Sequence, residues 1–168
     1  YSSAIQPDNP EMRAARHAGT TLVRRAEALG ALMREYRSIA VAGTHGKTTT
    51  TALLARILEQ GGKDPTVLVG GSLMEGGANA RVGLSNLLVT EADEYDRSFL
   101  KFYPSASIVT NVQAEHLDCY GEFGQVREAF VEFVNRTPLF GTALVCIDDQ
   151  GVQGMIHELN VPVMTYGL

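Results

Sequence analysis

The segment Ile39-Ala40-Val41-Ala42-Gly43-Thr44-His45-Gly46-Lys47-Thr48-Thr49-Thr50-Thr51 constrains the fold more than any other part of the 168-residue chain. Ile39 to Ala42 reads as a buried strand. Lys47 to Gln60, with Ala52, Leu53, Ala55, Arg56 and Ile57, reads as a helix stopped by Gly61-Gly62. A strand that turns on glycines straight into a helix aims the unpaired N–H groups of the first helical turn at one point, and an anion belongs there. Gly43 and Gly46 let the backbone approach phosphate oxygens. Lys47 supplies a point charge to the β- and γ-phosphates, and Thr48 offers a hydroxyl to Mg²⁺. The full phosphate-loop pattern has a glycine where this chain has Val41, so the match is to a shortened loop. Gly43, Thr44, His45, Gly46, Lys47, Thr48 and Thr49 are its candidate nucleotide-binding residues, with His45 shaping the loop.

From Ser38 onward short apolar runs alternate with helical stretches. Val67–Val69, Leu87–Thr90, Ser107–Thr110, Ala143–Ile147 and Val161–Thr165 are further strand candidates. Val126, Phe130, Phe133 and Val134 share one helical face, and Val152, Met155, Ile156 and Leu159 another. Such alternation predicts an α/β fold, a mostly parallel sheet flanked by helices, of the phosphate-loop mononucleotide-binding kind. Gly70 to Gly77 is expected to be a loop or hairpin. Residues 1–36 read differently: a strand-like Tyr1 to Ile5, an extended Thr20 to Val23 and a helical Arg25 to Tyr36, too little to close a core. They are expected to be the end of a preceding domain, with 37–168 as the nucleotide-binding domain.

A formal net charge of −5 leaves no surplus of Lys and Arg to track a nucleic-acid backbone. No apolar run approaches the roughly 20 residues of a membrane helix, and the N-terminus lacks a signal-peptide pattern, so no membrane partner and a cytoplasmic location are expected. Cys119 and Cys146 are not expected to pair, and Cys146, inside an apolar run, is read as a small buried apolar residue.

Two later strands end in chemistry-bearing residues. Leu87–Thr90 runs into Glu91-Ala92-Asp93-Glu94-Tyr95-Asp96. In nucleotide folds ligands sit beyond the carboxyl ends of the strands, so Glu91, the first acid, is the candidate for the metal on the phosphates. Asp93, Glu94 and Asp96 read as an exposed acidic loop. Ser107–Thr110 runs into Asn111 and then Glu115-His116-Leu117-Asp118. Asn111, His116 and Asp118 are expected at the same sheet edge, His116 as ligand to a second Mg²⁺ or as holder of a reacting carboxylate, with Asp118 orienting its ring. His17 and His157 lie on predicted helices away from this edge.

The loop Gly-Thr-His-Gly-Lys-Thr-Thr, Glu91 at a strand end, and Asn111 followed by His116-Leu117-Asp118 resemble the Mur ligase family. Ser2-Ser3-Ala4-Ile5 and Arg25-Ala26-Glu27 look like the end of its UDP-binding first domain, and Thr165-Tyr166-Gly167 like the end of its central ATP-binding domain. The resemblance implies an ATP-dependent ligase that uses ATP and Mg²⁺, with Lys47, Asn111 and His116 as catalytic residues and Thr48, Glu91 and His116 as metal ligands. Within the family, the segments around His45, Glu91 and His116 are most similar to members that join L-alanine to UDP-N-acetylmuramate, which would be the partners. The chain has no lysine after Lys101. That departs from members with a carbamylated lysine after the histidine and leaves the muropeptide-recycling ligases as the near alternative. The family's third domain has no counterpart here, so these residues alone are expected to bind nucleotide weakly and not to form the amide bond. Without the resemblance, a phosphate-loop switch or a kinase would fit the same loop.

Overall fold

The computed structural model describes residues 1–70 and 78–168. The expected loop or hairpin over Gly70 to Gly77 therefore lies, apart from Gly70, outside the described residues. Strands β1 (Arg37–Ala42), β2 (Thr66–Leu68), β3 (Ala80–Arg81), β4 (Leu87–Glu91), β5 (Ala106–Val109), β6 (Thr142–Cys146) and β7 (Val163–Tyr166) form one sheet in the order β3-β2-β4-β1-β5-β6-β7. All neighbouring strands run parallel except β3, which is antiparallel to β2 at the edge. Ala40, Val41, Ala42, Leu88, Val89 and Val109 are fully buried, as expected of central parallel strands covered on both faces.

The helices are α1 (Pro10–His17), α2 (Arg25–Met33), α3 (Lys47–Gln60), α4 (Leu117–Tyr120), α5 (Phe123–Asn135) and α6 (Gln150–Met155). Asn9 caps α1, accepting from the N–H of Glu11 at 2.9 Å, and Pro10 sits in the first turn where its missing N–H costs nothing. Asp149 caps α6 through the N–H of Val152 at 2.9 Å and also accepts from Val112 N–H at 3.0 Å, tying α6 to the segment after β5. The apolar face of α5 buries Val126, Ala129, Phe130, Phe133 and Val134. Phe99, on a short 3₁₀ turn, stacks on Phe133 at 4.9 Å and meets Phe130 edge-on at 5.3 Å. Each buried aromatic ring of this kind contributes about 2–3 kcal/mol by burial alone.

Several local expectations are corrected. Ser2 to Ile5 is a turn closed by Ile5 N–H to Ser2 C=O at 3.0 Å, not a strand end. Thr20 to Val23 has no strand partner among the described residues. The helix Lys47–Gln60 forms as read, but it buries Thr51 and Ala55, while Leu53 and Ile57 are 60% and 67% exposed. Cys146 is only half-buried, because it closes β6 next to the outward-facing Ile147. β7 begins at Val163 because Pro162 has no N–H to give a ladder, and its carbonyl accepts from Ala143 instead. α2 contributes Met33, 1% exposed, to the main core.

Candidate nucleotide site

β1 lies between β4 and β5, so the loop that leaves its carboxyl end is flanked by the ends of those two strands. Three stretches far apart in sequence meet there. At Gly43 the backbone adopts φ 144°, and a Cβ would lie 1.9 Å from the Thr110 hydroxyl, so glycine is required both by conformation and by space. Gly46 takes the left-handed conformation at the helix entry, and α3 has no side-chain cap there. The first-turn N–H groups of α3 are thus directed at the space where an anion would sit. Thr48 and Thr49 lie exposed in that turn, while Thr44 is buried.

The loop is braced from β5. Asn111 Oδ1 accepts from His45 N–H at 2.8 Å, and Asn111 Nδ2 donates to the His45 carbonyl at 3.0 Å. Thr110 donates its hydroxyl to that same carbonyl at 2.7 Å, and the Thr44 hydroxyl accepts from Gln113 N–H at 2.9 Å. Asn111 therefore holds the peptide of His45 at both polar ends. The His45 ring lies outside, 57% exposed, with Nε2 3.2 Å from Glu115.

Glu91 ends β4 beside the loop. Its Oε1 is buried and has no hydrogen-bond partner among the described residues. A buried carboxylate oxygen without a donor is costly unless something positive meets it, and its position at the strand end suits a divalent cation. Among the described residues no three His, Cys, Asp or Glu side chains gather as a ready-made metal cluster. A cation there would complete its shell with phosphate oxygens and water, which is the habit of Mg²⁺. Lys47, Glu91 and Asp93 also line an open cavity of about 420 Å³ that α2 closes on one side with Ala26, Leu29 and Leu32.

The expectations for the acidic segment and the histidine need two corrections. Glu94, expected in an exposed loop, is 1% exposed and receives hydrogen bonds from the Lys47 ammonium at 2.8 and 3.1 Å. Burial pushes its carboxyl above the usual carboxylate range, an effect that the hydrogen bond and charge of Lys47 partly offset. No spacing rule marks it, because its burial follows from the turn after β4 folding back. His116 has a left-handed backbone, φ 56°, and its Nε2 lies 3.6 Å from Glu94 and not against Asp118, so Asp118 does not orient the ring. The Tyr95 ring meets the imidazole edge-on at 5.1 Å. His17 and His157 lie on α1 and a 3₁₀ turn, away from these groups.

The model of the Mur ligase middle domain matches residues 41–168, and the one described as "Mur ligase family, catalytic domain" matches residues 1–37. The chain belongs to the Mur ligase family. A curated relative from Burkholderia cenocepacia, a UDP-N-acetylmuramate–L-alanine ligase, is 51% identical over 99% of this chain, and one from Burkholderia mallei is 49% identical. The chain spans about 36% of the length of these relatives. Among solved structures, the UDP-N-acetylmuramate–alanine ligase of Thermotoga maritima has a TM-score of 0.81 at 33% identity, covering 99% of this chain and 37% of that one. The UDP-N-acetylmuramate:L-alanyl-gamma-D-glutamyl-meso-diaminopimelate ligase of Neisseria meningitides has a TM-score of 0.85 at 26% identity, covering 96% of this chain and 56% of that one. The seven-stranded, mostly parallel sheet is thus the central-domain architecture of Mur ligases.

Proposed function

We propose that this chain is the ATP-binding part of a cytoplasmic enzyme that joins L-alanine to UDP-N-acetylmuramate in peptidoglycan precursor synthesis. Residues 1–36 would end its UDP-binding domain and 37–168 form the central domain. The observation that carries this reading is the 51% identity, over 99% of the chain, to a ligase of that description. The site is consistent with it: an uncapped helix start, a lysine, and a buried carboxylate oxygen with no partner among the described residues stand at the ends of neighbouring strands.

In the reaction proposed, a carboxylate oxygen of UDP-N-acetylmuramate attacks the γ-phosphorus of ATP and ADP leaves. The resulting acyl phosphate is then attacked by the amine of L-alanine, which loses a proton as inorganic phosphate departs. Two anions meet in the first step, so their charge has to be offset. Lys47 and the N–H groups opening α3 do this from the protein side. Thr48 and Glu91 would hold Mg²⁺, which when bound withdraws charge from the phosphates, and His116 would serve a second ion or the carboxylate. Asn111 keeps the His45 peptide, and with it the loop, in the shape that phosphate needs.

The fold likeness to the Neisseria ligase gives a second reading, in which a peptide replaces L-alanine as the amine. One experiment tests the ligase reading that both share. These residues are grafted in place of the matching segment of the Burkholderia cenocepacia relative. The chimera is then given ATP, Mg²⁺, UDP-N-acetylmuramate and either L-alanine or L-alanyl-γ-D-glutamyl-meso-diaminopimelate, with products read by mass spectrometry. Product with L-alanine, lost in His116→Ala while nucleotide binding is retained, is the expected result. ADP release indifferent to UDP-N-acetylmuramate would overturn the ligase reading.

A further inference from the structure

The acid closest to the phosphate-loop lysine has no task in the scheme above. The Lys47 ammonium donates to Gly43 C=O at 2.6 Å and to both oxygens of Glu94, at 2.8 and 3.1 Å, with the Thr44 carbonyl at 3.3 Å. An ammonium has three hydrogens, so these acceptors use all of them and none is directed at a phosphate. One acceptor has to give way when a nucleotide arrives. The carbonyls of Gly43 and Thr44 belong to a loop braced by Thr110 and Asn111. Glu94 is the acceptor that carries a negative charge, the charge that a phosphate oxygen would replace.

Glu94 is also fixed from behind. Its carbonyl accepts the hydroxyl of Tyr120 at 2.6 Å, and Tyr120 is itself 1% exposed. From this anchored backbone the carboxylate reaches Lys47 on one side and stands 3.6 Å from His116 Nε2 on the other. Lys47 and His116 lie on different elements and share Glu94 as their common neighbour.

We propose that Glu94 is a positioning residue: it holds the phosphate-loop lysine and His116 in register before nucleotide binds, then releases the lysine to the nucleotide's terminal phosphate. This rests on the nucleotide-site reading above. It has a consequence that a purely structural acid lacks. Glu94 neutralises Lys47, so it limits nucleotide affinity while it secures alignment.

The test measures Mg²⁺·ATP and Mg²⁺·ADP binding by calorimetry, and turnover, both on the chimera. Glu94→Gln keeps the shape and removes the charge. Nucleotide Kd should tighten at least about fivefold, less than bare Coulomb attraction would give because solvent and Mg²⁺ screen it, and kcat should fall at least about tenfold. Glu94→Asp keeps the charge but withdraws it by one methylene, so Kd should stay near wild type while kcat still falls. In a Lys47→Met background Glu94→Gln should no longer tighten binding. Weaker Mg²⁺·ATP binding in Glu94→Gln would make the residue a metal ligand or a fold support and overturn the proposal, as would unchanged Kd and kcat. Should Glu94→Gln fail to fold, as seen by thermal melting, the Kd-against-kcat split in Glu94→Asp decides alone. Wild-type protein that binds no nucleotide would remove the site reading and this proposal together, whereas wild-type binding with insensitive Glu94 variants removes only this one.

Discussion

Replacing Asn111 by alanine should cost the protein nucleotide affinity as well as stability. Two hydrogen bonds to the His45 peptide disappear, at 2.8 and 3.0 Å, together with a 3.2 Å contact to the Thr110 hydroxyl. Neutral hydrogen bonds of this kind contribute about 0.5–1.5 kcal/mol each, and the freed His45 groups are exposed enough for water to replace part of that. Stability should fall by about 1–2 kcal/mol, a drop in melting temperature of roughly 2–8 °C for a chain of this size. The loop would then have to be ordered by the nucleotide itself, so Kd should rise about tenfold, equivalent to about 1.4 kcal/mol. Asn111→Asp sharpens the test. It keeps the acceptor for His45 N–H, loses the donor, and adds a negative charge beside the phosphate position, so it should bind worse than Asn111→Ala. Calorimetric titration with Mg²⁺·ADP and differential scanning fluorimetry read the two quantities. A Kd for Asn111→Ala within twofold of wild type, or Asn111→Asp binding better than Asn111→Ala, would refute the idea that this amide shapes the loop.

Three further outcomes follow from the geometry. Gly43→Ala places a methyl 1.9 Å from the Thr110 hydroxyl in a conformation unsuited to L-residues, so it should destabilise by roughly 3 kcal/mol or more in urea unfolding and lose nucleotide binding. Glu91→Gln keeps the side chain's shape but not its charge, so nucleotide binding should lose its Mg²⁺ dependence, and calorimetry with and without Mg²⁺ would detect an unchanged dependence. Phe99→Ala removes a fully buried ring between Phe130 and Phe133 and should cost about 3–5 kcal/mol by denaturant titration, leaving a folded mutant only if the core can relax.

The sheet was legible because a parallel strand buried on both faces is a run of apolar residues, as in Ile39 to Ala42 and Leu87 to Thr90. Glycines mark both ends of α3, so its limits were read as they are observed. The helix's faces were not: Leu53 and Ile57 look like core residues in sequence, yet they point outward. The two-residue edge strand β3 is too short to carry a pattern. That Gly43, Lys47, Glu91 and Asn111 stand at the ends of neighbouring strands was legible, because distance to a strand end is a local property. Glu94 and the orientation of His116 were not, since both depend on how the turn after β4 and the segment before α4 pack on one another.

The brace between Asn111 and His45 joins positions 66 residues apart, and that of Gln113 with Thr44 joins positions 69 apart. During synthesis, β1, the glycine turn and α3 all leave the ribosome before the residues that shape the turn have been made. Until β5 has docked beside β1, the loop has its glycines and its lysine but not these braces. Recognition of phosphate is consequently a late event in folding and a report on the whole sheet. A nucleotide that binds only the braced loop would draw the equilibrium toward chains in which β5 is already seated, so ligand added during refolding should protect the β1–β5 ladder against hydrogen exchange before it protects the edge strands.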